Sequence, residues 1–236
     1  MPVEVLKKAV GKLPQVEFLQ LYGMSEAAPI LTVLKGKEHR KGLEGEGRKL
    51  YSCGKPVPGV EMKVVDGEGK EVPAGTVGEI VARGPNIMKG YWNLPDETFL
   101  ALREGWYYSG DLAYRDEDGH YFIVDRAKDM VISGGENIYS IEVENVLYRH
   151  PAVLECAVIG IPDEKWGESV LAVVVLRPDF TVTDEELKAF ARKHLAGFKI
   201  PRTITFVKEL PKSGAGKILK RSLRDPYWQG QERRVN

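Results

Sequence analysis

The chain has 236 residues, with 34 lysines and arginines against 34 aspartates and glutamates. That length is enough to bury a substantial core in one large domain or two small ones, and the charge balance gives no electrostatic reason to expect nucleic acid or an acidic membrane as partner. Two cysteines, Cys53 and Cys156, argue against a disulfide framework and for a reduced, cytoplasmic protein. No apolar run approaches the ~20 residues of a membrane span, and the first residues lack a signal-peptide core.

In chain order, Pro2 to Val10 reads as a short helix with Val3, Leu6 and Val10 on one face and Pro2 in the first turn. Phe18 to Leu21 is a brief strand running into Tyr22-Gly23-Met24-Ser25-Glu26-Ala27, a junction that sets polar side chains at a strand end. Lys35 to Lys49 is charged and glycine-rich and reads as a mobile loop. From Gly54 the pattern becomes β: Val60, Met62 and Val64 alternate with charged residues, Asp66 to Gly69 is a turn, and Gly78 to Arg83 is a second strand. Short strands at close spacing point to a small barrel-like sheet over about residues 50–124. For Tyr91 and Trp92 the favoured reading is core packing.

Gly105 to Asp111 closes that unit. Asp116 to Gly119 is a polar hairpin turn without the spacing or terminal glutamate of a calcium loop. Asp125, Arg126, Lys128 and Asp129 then interrupt two apolar runs, and four charges so close together read as an exposed crossing between two folded units. Beyond it, Ile141 to His150 reads as a helix, while Glu155 to Ile161 and Val170 to Leu176 read as strands rich in Val and Ile. Thr183 to Glu186 is a capping box, followed by Leu187, Phe190, Ala191 and Leu195 at helical spacing and by Gly197 as terminator. Thr203 to Val207 is a last strand. The final motif, Leu210 to Arg221, is a glycine-rich loop carrying Lys217. Such a loop suits phosphate, but it lacks the spacing of a Walker loop.

Several of these motifs, in this order, resemble the adenylate-forming superfamily of acyl- and aryl-CoA synthetases, peptide-synthetase adenylation domains and luciferases. They are Tyr22-Gly-Met-Ser-Glu26, Ser109-Gly-Asp111-Leu, Asp125-Arg-Ala-Lys-Asp-Met, Ser133-Gly-Gly-Glu-Asn and Pro211-Lys to Gly216-Lys217. The resemblance implies an α+β chain. Residues 1–124 would be the C-terminal remnant of a large domain, ending in a barrel-like subdomain. Residues 125–129 would be a hinge with Lys128 at the family's hinge position, and 130–236 a small mobile C-terminal domain.

It also implies site roles. Tyr22 would pack on adenine, with Gly23 beside it. Ser25 would bond the α-phosphate, Glu26 would carry Mg²⁺, Asp111 would take the ribose hydroxyls and Arg126 would contact the ribose. Gly134, Gly135 and Glu136 would line the CoA path, and Lys217 would be the catalytic lysine of adenylation. The implied reaction uses ATP to turn a fatty acid into acyl-AMP, releasing pyrophosphate, and then passes the acyl group to CoA. The alternatives are an aryl- or short-chain acid–CoA ligase portion and a non-catalytic nucleotide- or CoA-binding remnant.

The sequence departs from the family pattern in two ways. Little precedes Tyr22, so the phosphate loop and acyl pocket are expected in a missing N-terminal fragment. The chain alone is accordingly expected to be inactive and prone to self-association through residues 1–34. The second departure is Tyr139-Ser140 in place of Tyr-Pro, which should loosen that loop.

Overall fold

The computed structural model describes residues 3–45, 47–214 and 216–229. Pro2, Ala215 of the lysine loop and the last residues of the expected C-terminal domain lie outside them. The chain separates into two compact units between Val124 and Asp125.

In the first unit, α1 (Val3–Lys12) buries Val3 and Leu6 against Leu50. Strands β1 (Gln20–Tyr22), β2 (Thr32–Leu34) and β3 (Lys55–Pro56) form a small antiparallel sheet. A five-stranded sheet follows from β4 (Glu61–Val65), β5 (Gly78–Arg83), β6 (Leu102–Arg103), β7 (Trp106–Arg115) and β8 (Tyr121–Arg126). Its order is β4-β5-β7-β6, with β8 on β7. A register shift between Glu79 and Val81 bends β5 against β7. Met62, Val64, Ile80, Ala82, Ala113 and Tyr121 fill its core, as the alternation of the sequence requires.

Two expectations fail in this unit. Residues 36–44 form a helix, α2 (Gly36–Glu44), not a loop. Its two buried glycines disguise it. A β-carbon on Gly36 would fall on the Glu17 side chain, and one on Gly42 on Leu50, so glycine is present for close packing despite its poor helix propensity. Glu38 accepts the Lys35 amide at 3.1 Å, and His39 Nδ1 donates to the Phe18 carbonyl at 2.9 Å. The second failure is Trp92, which is 89% exposed beside the short helix α3 (Pro95–Ala101) and takes no part in a core.

The second unit is built on β11 (Val153–Asp163) and β12 (Gly167–Leu176), a long hairpin. The hairpin β9 (Val131–Ser133) and β10 (Glu136–Ile138) joins the free edge of β12 at Gly167, and β13 (Thr203–Phe206) pairs parallel to β12 farther along that same edge. Both faces of β12 are buried, which explains its unbroken apolar run. Val170, Ala172 and Val174 meet α4 (Ser140–Leu147) and α5 (Asp184–Arg192). Leu171, Val173 and Val175 meet Leu210, with Ile218 and Leu223 packed at the edge. Thr183 caps α5 reciprocally with Glu186, at 3.2 and 2.8 Å. That helix ends at Arg192, and Gly197 opens a separate 3-10 turn instead of terminating it. Cys53 and Cys156 are both buried and free. Among the described residues no helix is long and apolar enough to cross a membrane.

The charged crossing also differs from its expectation. Arg126 is exposed, but Asp125 is only 1% exposed. Its carboxylate accepts the Ser140 amide, the Ser140 hydroxyl at 2.9 Å and the Arg126 amide at 2.8 Å. Lys220, on α6 (Lys220–Arg224), donates to Ser140 Oγ at 2.6 Å and pairs with Glu144 at 2.7 Å. Burial pushes the Asp125 and Glu144 carboxyls up from the usual carboxylate range, and Lys220 opposes the shift. Ser140 therefore does not loosen its loop. Its amide proton, which proline lacks, holds Asp125.

Two outcomes follow from this packing. Asp125→Ala leaves buried donors unmet and should lower the unfolding free energy of the second unit by about 3 kcal/mol. Urea denaturation followed by circular dichroism measures this, and a loss within experimental error would contradict the network. Gly134→Ala should destabilise more than Gly135→Ala. Both positions have positive φ, costing an alanine about 1 kcal/mol, but only a β-carbon on Gly134 would meet the Trp166 ring, at 2.6 Å. Equal losses in parallel denaturation curves would show that the ring yields freely.

Candidate active site

The Tyr22–Ala27 junction is shaped by backbone crowding. A side chain on Gly23 would strike the Pro29 carbonyl oxygen, so only glycine lets the chain pass there. Ser25, Glu26 and Ala27 then form a 3-10 turn. Asn86 ties that turn to the second sheet by donating to the carbonyls of Ala27 at 2.7 Å and Ile30 at 3.0 Å. The Met88 amide bonds the Glu26 carbonyl at 2.8 Å.

This scaffold brings together residues far apart in sequence. Tyr22 Oη donates to Asp111 Oδ2 at 2.7 Å. Asp111 is 9% exposed, and Ser109 Oγ accepts its amide at 3.1 Å while donating to the Ile80 carbonyl at 2.8 Å. Tyr91 Oη donates to Glu26 Oε1 at 3.1 Å. Burial and Asp111 push the Tyr22 hydroxyl well above the ordinary tyrosine range, and burial with Glu26 raises Tyr91 and its neighbour Tyr107. Tyr22 and Tyr91 therefore stay protonated and act as donors to Asp111 and Glu26. The result is a negatively charged, oxygen-rich corner, whose donor chemistry suits a hard divalent cation. Ser25 is exposed at its edge.

Tyr91, Tyr107 and Ser109 belong to this corner although sequence reasoning gave them no role in it. Tyr91 escaped because, next to Trp92, it reads more readily as half of an aromatic core pair.

Arg126, Lys128, Gly134, Gly135, Glu136 and Lys217 belong to the second unit. Gly134 and Gly135 are the two central residues of the β9–β10 hairpin, with Ser133 paired to Glu136. Positive φ at both positions is the requirement of a type I′ turn, so both glycines are needed for the turn itself. Glu136 is exposed beside them. Arg224 holds the crossing by donating to the Lys128 carbonyl at 2.9 Å and pairing with Asp129 at 3.0 Å. Lys217 stands exposed on a tight loop. The loop is closed by the Ser213 amide on the Lys217 carbonyl at 2.8 Å, the Lys217 amide on Ser213 Oγ at 3.2 Å and a bridge between Lys212 and Ile218.

Comparison with known proteins places these features in a family. Residues 1–92 match the model of the AMP-binding enzyme, and residues 142–217 match that of the AMP-binding enzyme C-terminal domain. A fatty acid–[acyl-carrier-protein] ligase from Streptomyces coeruleorubidus is 44% identical over 93% of this chain and 42% of its own length. A feruloyl-CoA synthase from Amycolatopsis is 48% identical over 88% of this chain and 41% of its own. A long-chain-fatty-acid–CoA ligase from Bacillus subtilis is 44% identical over 94% and 38%.

Among solved structures, the o-succinylbenzoate CoA synthetase of Bacillus subtilis, in complex with its acyl-adenylate intermediate, superposes with a TM-score of 0.84. It is 36% identical, over 95% of this chain and 44% of that one. The amide bond synthetase of Marinactinospora thermotolerans gives a TM-score of 0.81 and 38% identity over 89% and 42%. The chain thus spans about two fifths of the length of these relatives. With both family models matched in order along it, the chain belongs to the adenylate-forming, AMP-binding enzyme family.

Proposed function

We propose that this chain serves an AMP-forming fatty acid–CoA ligase. The observation that carries the reading is the corner formed by Tyr22, Glu26, Tyr91 and Asp111, an acceptor-rich site whose first three residues lie on the matched AMP-binding segment. Asp111, ionised and acceptor-only, takes the ribose hydroxyls. The Tyr22 ring lies against adenine while its hydroxyl keeps Asp111 oriented, and Ser25 bonds the α-phosphate. Arg126 adds a contact to the ribose.

Glu26 would hold Mg²⁺, which when bound would supply positive charge to the phosphoryl oxygens. Lys217 does the same from its loop as the substrate carboxylate attacks the α-phosphorus and pyrophosphate leaves. The Gly134-Gly135 turn and Glu136 then border the path of the CoA thiol, and Asp125 to Asp129, around Lys128, act as the hinge between the two half-reactions. Relatives named as fatty-acid ligases support the fatty acid. The feruloyl-CoA synthase, at 48% identity, supports an aryl acid as the second reading.

Asp111→Asn should weaken AMP binding at least tenfold in equilibrium titration, since a hydrogen bond to a charged acceptor is worth about 1.5–3 kcal/mol. It should leave 2′,3′-dideoxy-AMP unaffected. Equal weakening of both nucleotides would place Asp111 away from the ribose. In a full-length ligase carrying this sequence, Lys217→Ala should slow ATP–pyrophosphate exchange about 10²-fold and spare thioester formation from supplied acyl-AMP. Equal losses in both half-reactions would make Lys217 a structural residue.

A further inference from the structure

The turn between β7 and β8 sets Asp116, Asp118 and His120 so that one donor atom from each lies within 4.8 Å of the others. Acidic groups around a turn are ordinary, but the histidine among them is not. The His120 side chain is 2% exposed. Its Nε2 lies 2.9 Å from Glu38 Oε1 on α2, so in the neutral ring Nε2 carries the proton and donates it to that carboxylate. Nδ1 is then a bare lone pair. It is buried and has no hydrogen-bond partner, and it faces Asp116 Oδ1 at 3.6 Å.

Asp116 Oδ1 already accepts the His120 amide at 2.8 Å, but the bare Nδ1 facing it is met by no donor, and two acceptors so placed repel unless positive charge lies between them. The separation is also what two ligands of a four-coordinate ion would show, given bonds of roughly 2.0–2.2 Å. Glu38 stands where a second-shell carboxylate fixes the tautomer of a metal-binding histidine. A third ligand is at hand in Asp118, whose Oδ2 is paired with Lys49 at 3.1 Å. That pair is 43% and 65% exposed and therefore weak, so a divalent ion can displace the ammonium.

We propose that Asp116, Asp118 and His120 form a divalent transition-metal site that uses His120 Nδ1 and one oxygen from each aspartate. The imidazole in the set favours zinc-like ions over magnesium or calcium. None of its residues belongs to the Tyr22–Asp111 corner. Its consequence is structural: the ion would fasten the β7–β8 turn and, through Glu38, the helix α2.

The test titrates the metal-stripped 236-residue chain with zinc by calorimetry, and with cobalt by its visible ligand-field bands. One tight equivalent is expected, with a rise in the thermal unfolding midpoint. Asp116→Asn and His120→Gln should each weaken binding at least tenfold, and Glu38→Gln roughly tenfold. His150→Gln should change nothing. Because His120→Gln removes a buried side chain, nitrogen NMR of the unsubstituted protein provides a second readout. Zinc should shift His120 Nδ1 while Nε2 keeps its proton. The proposal is overturned if zinc does not bind, if binding survives His120→Gln, or if Nδ1 is protonated at neutral pH. The last result would mean an imidazolium clamped between Glu38 and Asp116.

Discussion

A carboxylate withdrawn from water must be met by donors, and each unit of this chain is arranged around one that is. In the first unit the group is Asp111, oriented by the Tyr22 hydroxyl and fixed at its own amide by Ser109. In the second it is Asp125, met by two backbone amides and the Ser140 hydroxyl. Leaving such a group unmet costs several kcal/mol. The donors are therefore drawn from distant parts of the chain, and the partners specify how the elements come together.

The two networks differ in what they leave available. Around Asp125 the acceptors are heavily used. Lys220 joins Ser140 to Glu144, and Arg224 closes on Lys128 and Asp129, so α6 is bound to the start of the unit. The loop that carries Lys217 is thus anchored immediately downstream, while Lys217 itself stays exposed. Around Asp111 and Glu26 the partners are the Tyr22 and Tyr91 hydroxyls, which burial and negative charge keep protonated. Neutral donors leave the corner with its negative charge. On the proposed reading, that charge is what draws in magnesium and the ribose hydroxyls.

Much of the architecture was legible in the sequence because it follows local rules. Alternation at Met62 and Val64, the Thr183–Glu186 box and the Val-rich runs of β11 and β12 each report a local choice that packing then accepts. The rest depended on contacts the sequence does not display. α2 was hidden because Gly36 and Gly42 serve Glu17 and Leu50 across the unit. Trp92 read as core because a tryptophan seldom stands in water. Asp125 read as surface because charge is usually solvated, yet a serine fifteen residues on buries it. The same applies to the candidate site. The motifs marked Tyr22, Glu26, Asp111 and Lys217, but the pairings Tyr22–Asp111 and Tyr91–Glu26 span 89 and 65 residues of chain. Only the fold brings them together.

The central claim is that the corner between the Tyr22–Ala27 turn and β7 receives the nucleotide. Photolabelling the chain with 8-azido-ATP in the presence of magnesium, followed by peptide mapping, tests it most directly. The account places the label within Tyr22 to Glu26 or Met88 to Trp92, suppressed by unlabelled ATP and AMP. Label found only in the second unit, or unaffected by competing nucleotide, would contradict it.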